Sequence, residues 1–257
     1  MAEAGLSLGW SDFKAEVGHY LGWGRTSGNW SANQITELEA IVHSGLRQFY
    51  SHPPIPTAMN HQWSFLHPFT TISTVADDYD QTLPDSFGGI EGNITYAVND
   101  GYRPIQLVGA TQILTQRSKG EVTGRPIYAA VRPRAGTGTT GQRFEILWWP
   151  TPNAVYVLTY RYTALQDQMS TTYPYPLGGQ MHSETILQSC RAEAERRFND
   201  MRGPEYARFL ELLDTSIRFD AKQAPETLGY MGDGSDRRGR QAVFEDRQVQ
   251  YNGQVSE

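Results

Sequence analysis

Two helical patterns set back to back, from Gln180 to Gln223, constrain the fold of this chain more than any other feature. In each pattern apolar residues recur every three or four positions, which places them on one helical face opposite a charged face. Gly203 and Pro204 lie between the patterns. Glycine can end a helix in the left-handed conformation, and proline suits the first position of the next helix. The sequence therefore predicts a helical hairpin whose apolar stripes must be buried against other parts of the chain.

The N-terminal part of the chain has the apolar helices that such a hairpin needs. Ser11 is predicted to cap a short helix, and Ser31 or Asn33 to cap a longer one that ends near Tyr50. The two helical pairs together predict a four-helix bundle that is discontinuous in sequence. The residues assigned to the bundle core are Phe49, Ile186, Phe198, Leu210 and Leu213.

Residues 62–163 switch to the two-residue period of β-strands and are rich in β-branched and aromatic side chains. The predicted strands are residues 94–98, 105–108, 127–131, 144–149 and 155–162. The last three follow one another with loops between them, which predicts a three-stranded antiparallel meander. Residues 109–119 are predicted to form a short helix between strands.

The predicted fold class is α+β, with a discontinuous four-helix bundle, an inserted antiparallel β domain and an extended C-terminal tail. Residues 1–55 and 164–224 are assigned to the bundle, residues 56–163 to the β domain and residues 225–257 to the tail. With 257 residues, 39% of them hydrophobic, the chain can bury such a core. The tail is too poor in apolar residues to fold alone, so it is predicted to order on a partner.

Three sequence features could carry chemistry, and each has a more ordinary interpretation. Residues 136–141 fit a glycine pattern that binds pyrophosphate between a strand and a helix, but here the pattern joins two strands. Residues 77–80 are acidic, yet they lack the bend glycine and distal glutamate of a calcium loop. The histidines have no metal-ligand spacing on any one element. We therefore predict no catalytic residue, no cofactor, no metal and no enzymatic activity.

The composition is typical of a soluble protein with an acidic balance. The net charge is −6 and no apolar segment approaches the roughly 20 residues of a membrane span. Because no signal-peptide pattern is present, we expect a chain made in the cytoplasm, with no membrane partner. Only three of the 22 basic residues are lysine, and the planar guanidinium of arginine favours forked contacts at protein interfaces. The single cysteine, Cys190, lies on an apolar stripe and is predicted to be buried.

The order of helix pair, β insertion and helical hairpin resembles the head-to-tail adaptor (connector) proteins of tailed bacteriophages. The segments that carry this resemblance are residues 46–50, 175–186, 192–195 and 209–220. They are structural signatures rather than catalytic ones, and with the β insertion they extend over most of the chain.

The resemblance implies a structural virion protein that forms a homo-oligomeric ring, commonly of twelve subunits, beneath the portal protein at the head-tail interface. DNA would cross the ring without sequence-specific binding, and a tail or nozzle protein would bind on the far side. The C-terminal segment of such proteins typically reaches up to the portal. The residues assigned to this portal interface are Leu228, Tyr230, Met231, Arg237, Arg238, Arg240, Phe244, Arg247 and Tyr251.

A different class of function is open from the residues alone. Trp148 and Trp149, together with Tyr156, Tyr160 and Tyr162, could form a sugar-stacking face. The chain would then be a carbohydrate-binding or host-recognition β module on a helical stalk. Aromatic residues that alternate along strands are more often divided between core and surface.

Overall fold

The structure, a computed structural model, describes residues 4–55, 61–97, 100–134, 136 and 141–223. The helices are α1 (Trp10–Tyr20), α2 (Ala32–Tyr50), α3 (Ala110–Ser118), α4 (Gly179–Asn199) and α5 (Pro204–Gln223). The strands are β1 (Phe69–Ser73), β2 (Asp80–Thr82), β3 (Phe87–Tyr96), β4 (Gln106–Leu107), β5 (Thr123–Gly124), β6 (Tyr128–Pro133), β7 (Phe144–Trp149), β8 (Thr151–Pro152) and β9 (Val157–Ala164). The chain divides into two units after Ala221, and all these elements except the last residues of α5 belong to the first.

The helices begin close to the predicted positions. Ser31 caps α2, where its hydroxyl accepts a hydrogen bond from the backbone N–H of Gln34 in a capping box. α1 begins after Gly9, slightly earlier than the predicted cap at Ser11. α5 begins at Pro204, as predicted.

Helices α1, α2, α4 and α5 bury one continuous set of apolar side chains, and α4 is the central member. Helices α2 and α4 approach each other closely at Gly45 and Cys190. A Cβ atom on Gly45 would lie 2.6 Å from the Cα of Cys190, so only glycine allows the two backbones to come this close. The Ser189 hydroxyl donates a hydrogen bond to the Gly45 carbonyl oxygen at 2.8 Å, which stabilises the same crossing.

Three expectations about α4 are wrong. Phe198 is 52% exposed, so it is not a core residue, and its ring meets that of Trp23 edge to face; burial along α4 stops at Glu195, before the helix ends. Glu193 and Glu195 belong to the charged face that the helical period predicts to be solvated, but they are buried because α4 is covered on several sides. The left-handed residue that ends α4 is Asp200, not the glycine three positions later.

The strands form two principal sheets, with strand orders β1-β9-β3 and β2-β7-β6-β4, and a minor pair, β5-β8. β6 and β7 pair antiparallel, as predicted. The third strand of the predicted meander is wrong, because β9 pairs with β1 and β3 rather than with β7. Pro150 and Pro152 lie between β7 and β9, and proline cannot donate to a strand ladder. The chain therefore leaves one sheet at this point and enters the other.

The α+β class is confirmed, and most strand pairs are antiparallel. The exceptions are β4 with β6 and β5 with β8, which pair parallel over two residues each. The helix predicted at residues 109–119 is α3. β1, β2, β5 and β8 are not predicted, because they are too short or too polar to show a two-residue period. The sheets enclose an apolar cluster of their own that includes Phe87, Trp148 and Tyr160.

We predict that Gly45→Ala destabilises the fold by about 1–3 kcal/mol, because the new methyl group must push α2 away from Cys190. At an unhindered helical position the same substitution would instead stabilise by about 0.5–1 kcal/mol. Gly28→Ala is the matched control, since no atom lies within 4 Å of the added Cβ. Urea unfolding followed by circular dichroism measures both variants. Equal midpoints for Gly45→Ala and the parent would show that α2 and α4 are not in close contact.

Candidate assembly site

Helix α4 carries polar side chains that are buried against α5 as well as against α2. The Thr185 hydroxyl lies 2.6 Å from the Ser216 hydroxyl of α5. The Gln188 side-chain nitrogen donates to the backbone oxygen of Glu205, 3.1 Å away in the first turn of α5. Buried polar groups must be hydrogen-bonded to be tolerated. These bonds therefore fix the rotation of α4 relative to α5 as well as their separation.

α5 receives its N-terminal cap from α4. The Glu195 carboxylate, 3% exposed, accepts hydrogen bonds from the backbone N–H groups of Gly203 at 3.0 Å and Tyr206 at 3.3 Å. The first N–H groups of a helix have no partner within the helix, and negative charge is favoured beside them. A Cβ on Gly203 would lie 2.5 Å from Glu195 Oε1, so a side chain at this position would displace the carboxylate from its present place. The turn between α4 and α5 is thus fixed by a buried charge.

A second buried carboxylate, Glu193, joins α4 to α2. It accepts hydrogen bonds from Arg196 Nη2 at 2.7 Å and from Arg197 Nε at 2.9 Å, and Arg197 Nη1 reaches Glu37 of α2 at 2.9 Å. Burial alone would raise the pKa of Glu193, but the hydrogen bonds from the two arginines and from Ser44 outweigh it and lower the pKa to about 2. The carboxylate therefore stays charged inside the protein.

The other end of α5 is held by a third buried carboxylate, Asp220. It accepts hydrogen bonds from the backbone N–H of Ser64 at 2.9 Å and from the Ser64 hydroxyl at 2.5 Å, and His61 Nε2 lies 3.0 Å away. His182 packs against Trp63 beside this group, with ring centroids 5.2 Å apart. Burial lowers the pKa of both His61 and His182, which favours their neutral forms. Both ends of α5 are thus fixed by carboxylates.

The structure brings together most of the predicted core and leaves the predicted portal interface outside its described residues. Phe49, Ile186 and Leu213 are buried in the helical cluster, and the half-buried Leu210 packs against it. Phe198 is the exception described above. The portal residues that lie outside the described part of the chain are Leu228, Tyr230, Met231, Arg237, Arg238, Arg240, Phe244, Arg247 and Tyr251.

Two of the five aromatic residues of the sugar-stacking hypothesis are buried, and Trp149, Tyr156 and Tyr162 are half-buried. Trp148 is fully buried, and its indole nitrogen donates to the Gln81 side chain at 2.9 Å. Tyr160 is 2% exposed. Both residues belong to the core of the sheets, and Trp149 is half-buried. A carbohydrate ring cannot stack on aromatic faces that other side chains already cover.

The described residues also show where the ends of the glycine pattern and the acidic residues 77–80 lie. Gly136 and Gly141, the ends of the glycine pattern, lie between β6 and β7, two strands of one sheet. Asp80 pairs with Arg132 at 3.4 Å, and the Asp78 carboxylate accepts a hydrogen bond from the backbone N–H of Asp80 at 3.3 Å. Within the described ranges, no group of three or more histidine, cysteine, aspartate or glutamate residues is placed to bind a metal ion. None of the helices described there is long and apolar enough to cross a membrane.

Sequence reasoning missed Glu193, Glu195 and Asp220, which organise the hairpin. A helical period separates charged from apolar residues, and it assigns every charged residue to water. One signal was present for Glu193: arginines follow it at spacings of three and four residues, where helical side chains meet. For Glu195 and Asp220 the partners lie in other elements, so no local pattern reveals them.

The described residues form an α+β fold, in which a central helical hairpin is fixed by buried charges and accompanied by β-sheets. Residues 9–232 match the SU10 adaptor protein family, and the chain belongs to this family. The family is one of phage structural adaptors, which are not a class of enzymes. A search among curated proteins found no match.

We predict that Glu193→Gln lowers the free energy of unfolding by about 2–3 kcal/mol at pH 7. The folded state depresses the pKa of Glu193 from 4.5 to about 2, so its contribution is present above pH 4.5 and is lost as pH falls towards 2. The difference between parent and variant should therefore shrink across this window. Glu211→Gln, which alters an exposed carboxylate of α5, is the control. Urea unfolding at several pH values would contradict the assignment if the difference were constant with pH.

Proposed function

We propose that this chain is a head-to-tail adaptor whose copies form a closed ring below the portal protein. The ring would extend the channel through which DNA passes and provide the attachment site for a tail or nozzle protein. The observation that carries this proposal is membership of the SU10 adaptor protein family across residues 9–232, almost the whole chain. As a phage structural adaptor, the protein is a component of the virion; synthesis in the host cytoplasm is part of the proposal.

The contacts of the helical hairpin support the role of a rigid structural component. α4 is hydrogen-bonded or ion-paired to α2 and α5, and both ends of α5 are held by buried carboxylates. Removing one partner of such a group leaves an unpaired buried charge, which costs about 3–5 kcal/mol. We regard the four helices as the adaptor core, arranged as a discontinuous bundle formed by residues 1–55 and 164–224. Residues 56–163 would then form a separate β domain.

The charge of the chain supports a passive channel. The net charge is −6, so the long-range field of the protein repels the phosphate backbone and does not retain it. A conduit for DNA must allow rapid movement in either direction. DNA would therefore pass through the lumen without sequence-specific binding.

Residues 225–257 are proposed to bind the portal. Apolar and arginine side chains alternate there with polar residues, a composition typical of segments that order on a large partner. The apolar residues would be buried against the portal, and Arg237, Arg238, Arg240 and Arg247 would make forked contacts with acidic groups.

We predict that the full-length protein binds portal-bearing heads as a closed ring on the axis of the portal. Electron microscopy of heads incubated with purified protein measures this directly, and the resemblance leads us to expect twelve copies. Heads that lack the portal are the control and should bind none. Copies bound elsewhere on the head, or bound at the vertex without closing a ring, would contradict the proposal.

We predict that deletion of residues 225–257 leaves a folded protein that no longer stays on portal-bearing heads. All described helices precede this segment, so the far-ultraviolet circular dichroism of the remaining chain should keep its helical signal. Co-sedimentation with DNA-filled heads measures retention. A full-length variant with Arg237, Arg238 and Arg240 replaced by glutamine separates the role of charge from that of length. Retention of the truncated chain at the full-length level would refute the assignment of the tail.

A further inference from the structure

An arginine-lined cleft opens where α2 ends and α5 begins. It has a volume of about 410 Å³, within the range of roughly 300–1,000 Å³ typical of ligand pockets. Arg47 stands in the last turn of α2, Arg196 near the end of α4, and Arg202 in the turn before α5, and all three line the cleft. Tyr206 forms part of the wall, and the Arg202 guanidinium lies 4.8 Å from the centre of its ring.

The positive charge in this cleft is not balanced by the residues around it. Among the described residues, Glu193 is the one carboxylate that lines the cleft, and its oxygens already accept hydrogen bonds from Arg196 and Arg197. Among the described residues, no carboxylate lies within 4.0 Å of Arg47 or Arg202. Both side chains are exposed. The cleft thus presents free forked donors, which are suited to carboxylate groups.

An acidic loop, whose carboxylates at Asp77 and Asp78 could pair with these arginines, lies between β1 and β2. Asp77 and Asp78 have no basic partner within 4.0 Å among the described residues, whereas Asp80 in the same motif pairs with Arg132. The loop is held in shape by its backbone: Asp77 N–H donates to the Pro152 oxygen at 2.8 Å. Asp77 is exposed and takes a left-handed conformation with φ of 62°, which aspartate tolerates better than most residues.

We propose that the loop at Asp77 and Asp78 of one copy enters the arginine cleft at Arg47 and Arg202 of the next copy. This inference rests on the proposed ring. Copies in a ring meet through two different surfaces, so each chain must carry both halves of the contact. A two-fold dimer through the cleft would instead bring arginines together. The loop adjoins the sheets and the cleft adjoins the helical hairpin, so the chain presents the two halves on separate parts of its structure.

Charge favours a second copy of this chain, rather than nucleic acid, as the partner that binds in the arginine-lined cleft. Phosphate groups also bind arginine, but a chain of net charge −6 repels DNA at distances beyond the cleft itself. A neighbouring copy brings two carboxylates on a loop whose backbone is already ordered, so little conformational entropy is lost on binding. Complementary charges of this kind also determine which surfaces pair, since like charges in contact are strongly unfavourable.

The test is a charge exchange in the full-length protein on portal-bearing heads. R47E/R202E should reduce the number of copies retained per head by about tenfold or more, because glutamates would face the aspartate loop. D77K/D78K should fail in the same way. R103E/K119E changes the net charge equally at two exposed positions of the β region and should be retained like the parent. Mass spectrometry of sedimented heads counts the copies.

An equimolar mixture of R47E/R202E and D77K/D78K should restore retention, because each reversed cleft then meets a reversed loop. Loss of retention that the mixture does not restore would assign the cleft to the portal, the tail or DNA and would overturn the proposal. So would retention of R47E/R202E at the level of R103E/K119E. Thermal melts establish that the variants are folded. R47Q/R202Q and D77N/D78N, which keep the local conformation, should show smaller losses in the same direction.

A second measurement separates this inference from the proposed function. If the parent itself were not retained on heads, the adaptor proposal would fail. Analytical ultracentrifugation without heads would still compare the exchanged variants at high concentration. Tighter association in their mixture than in either alone supports the contact between copies, and equal association in all three samples refutes it.

Discussion

The contact between Gly45 and Cys190 is the constraint on which the rest of the helical part depends. Because residue 45 has no side chain, α2 and α4 approach until the backbone of one touches the other, and the Cys190 thiol is fully enclosed. Burial raises the pKa of this thiol, which favours its neutral form and its behaviour as a small apolar group. With α2 so near and with α1 and α5 on other sides, every residue of α4 from His182 to Glu195 is buried except Glu184 and Arg191.

A helix that is covered on several sides must place its charged residues inside, and each then needs a partner. The protein meets this requirement by using the carboxylates as connections between elements. Glu193 links α4 to the arginines that reach α2, Glu195 supplies the missing cap of α5, and Asp220 joins the end of α5 to the turn at Ser64. The hairpin is consequently fixed by directional bonds as well as by apolar burial, and directional bonds determine register where apolar contact alone does not.

Sequence periodicity predicts helices and strands whose pattern repeats locally. It predicts little of the packing and pairing between residues that are far apart in sequence. Ser31 and Pro204 mark helix starts through their own backbone chemistry, so both are recognisable from sequence. Phe198 continues the apolar stripe, but the neighbouring helices no longer enclose α4 at that turn, and a stripe carries no information about the length of its partner. The transfer of β9 to another sheet follows from pairing between residues far apart in sequence, which short-range patterns do not specify. For the same reason short-range patterns do not reveal the arginine-lined cleft.

The pairing of charges in this molecule separates residues that hold the fold from residues that face outward. An arginine that has its carboxylate within the chain, such as Arg197, contributes to the fold and has little capacity for a partner. Arg47 and Arg202 lack such partners in the described part of the chain, although the protein has more acidic than basic residues in total. An arginine that has no carboxylate partner within its own chain interacts more favourably, in free energy, with an acidic partner than with water alone, provided that the partner is already ordered. The proposed contact between copies therefore relies on these unpaired charges rather than on the exposed apolar residues.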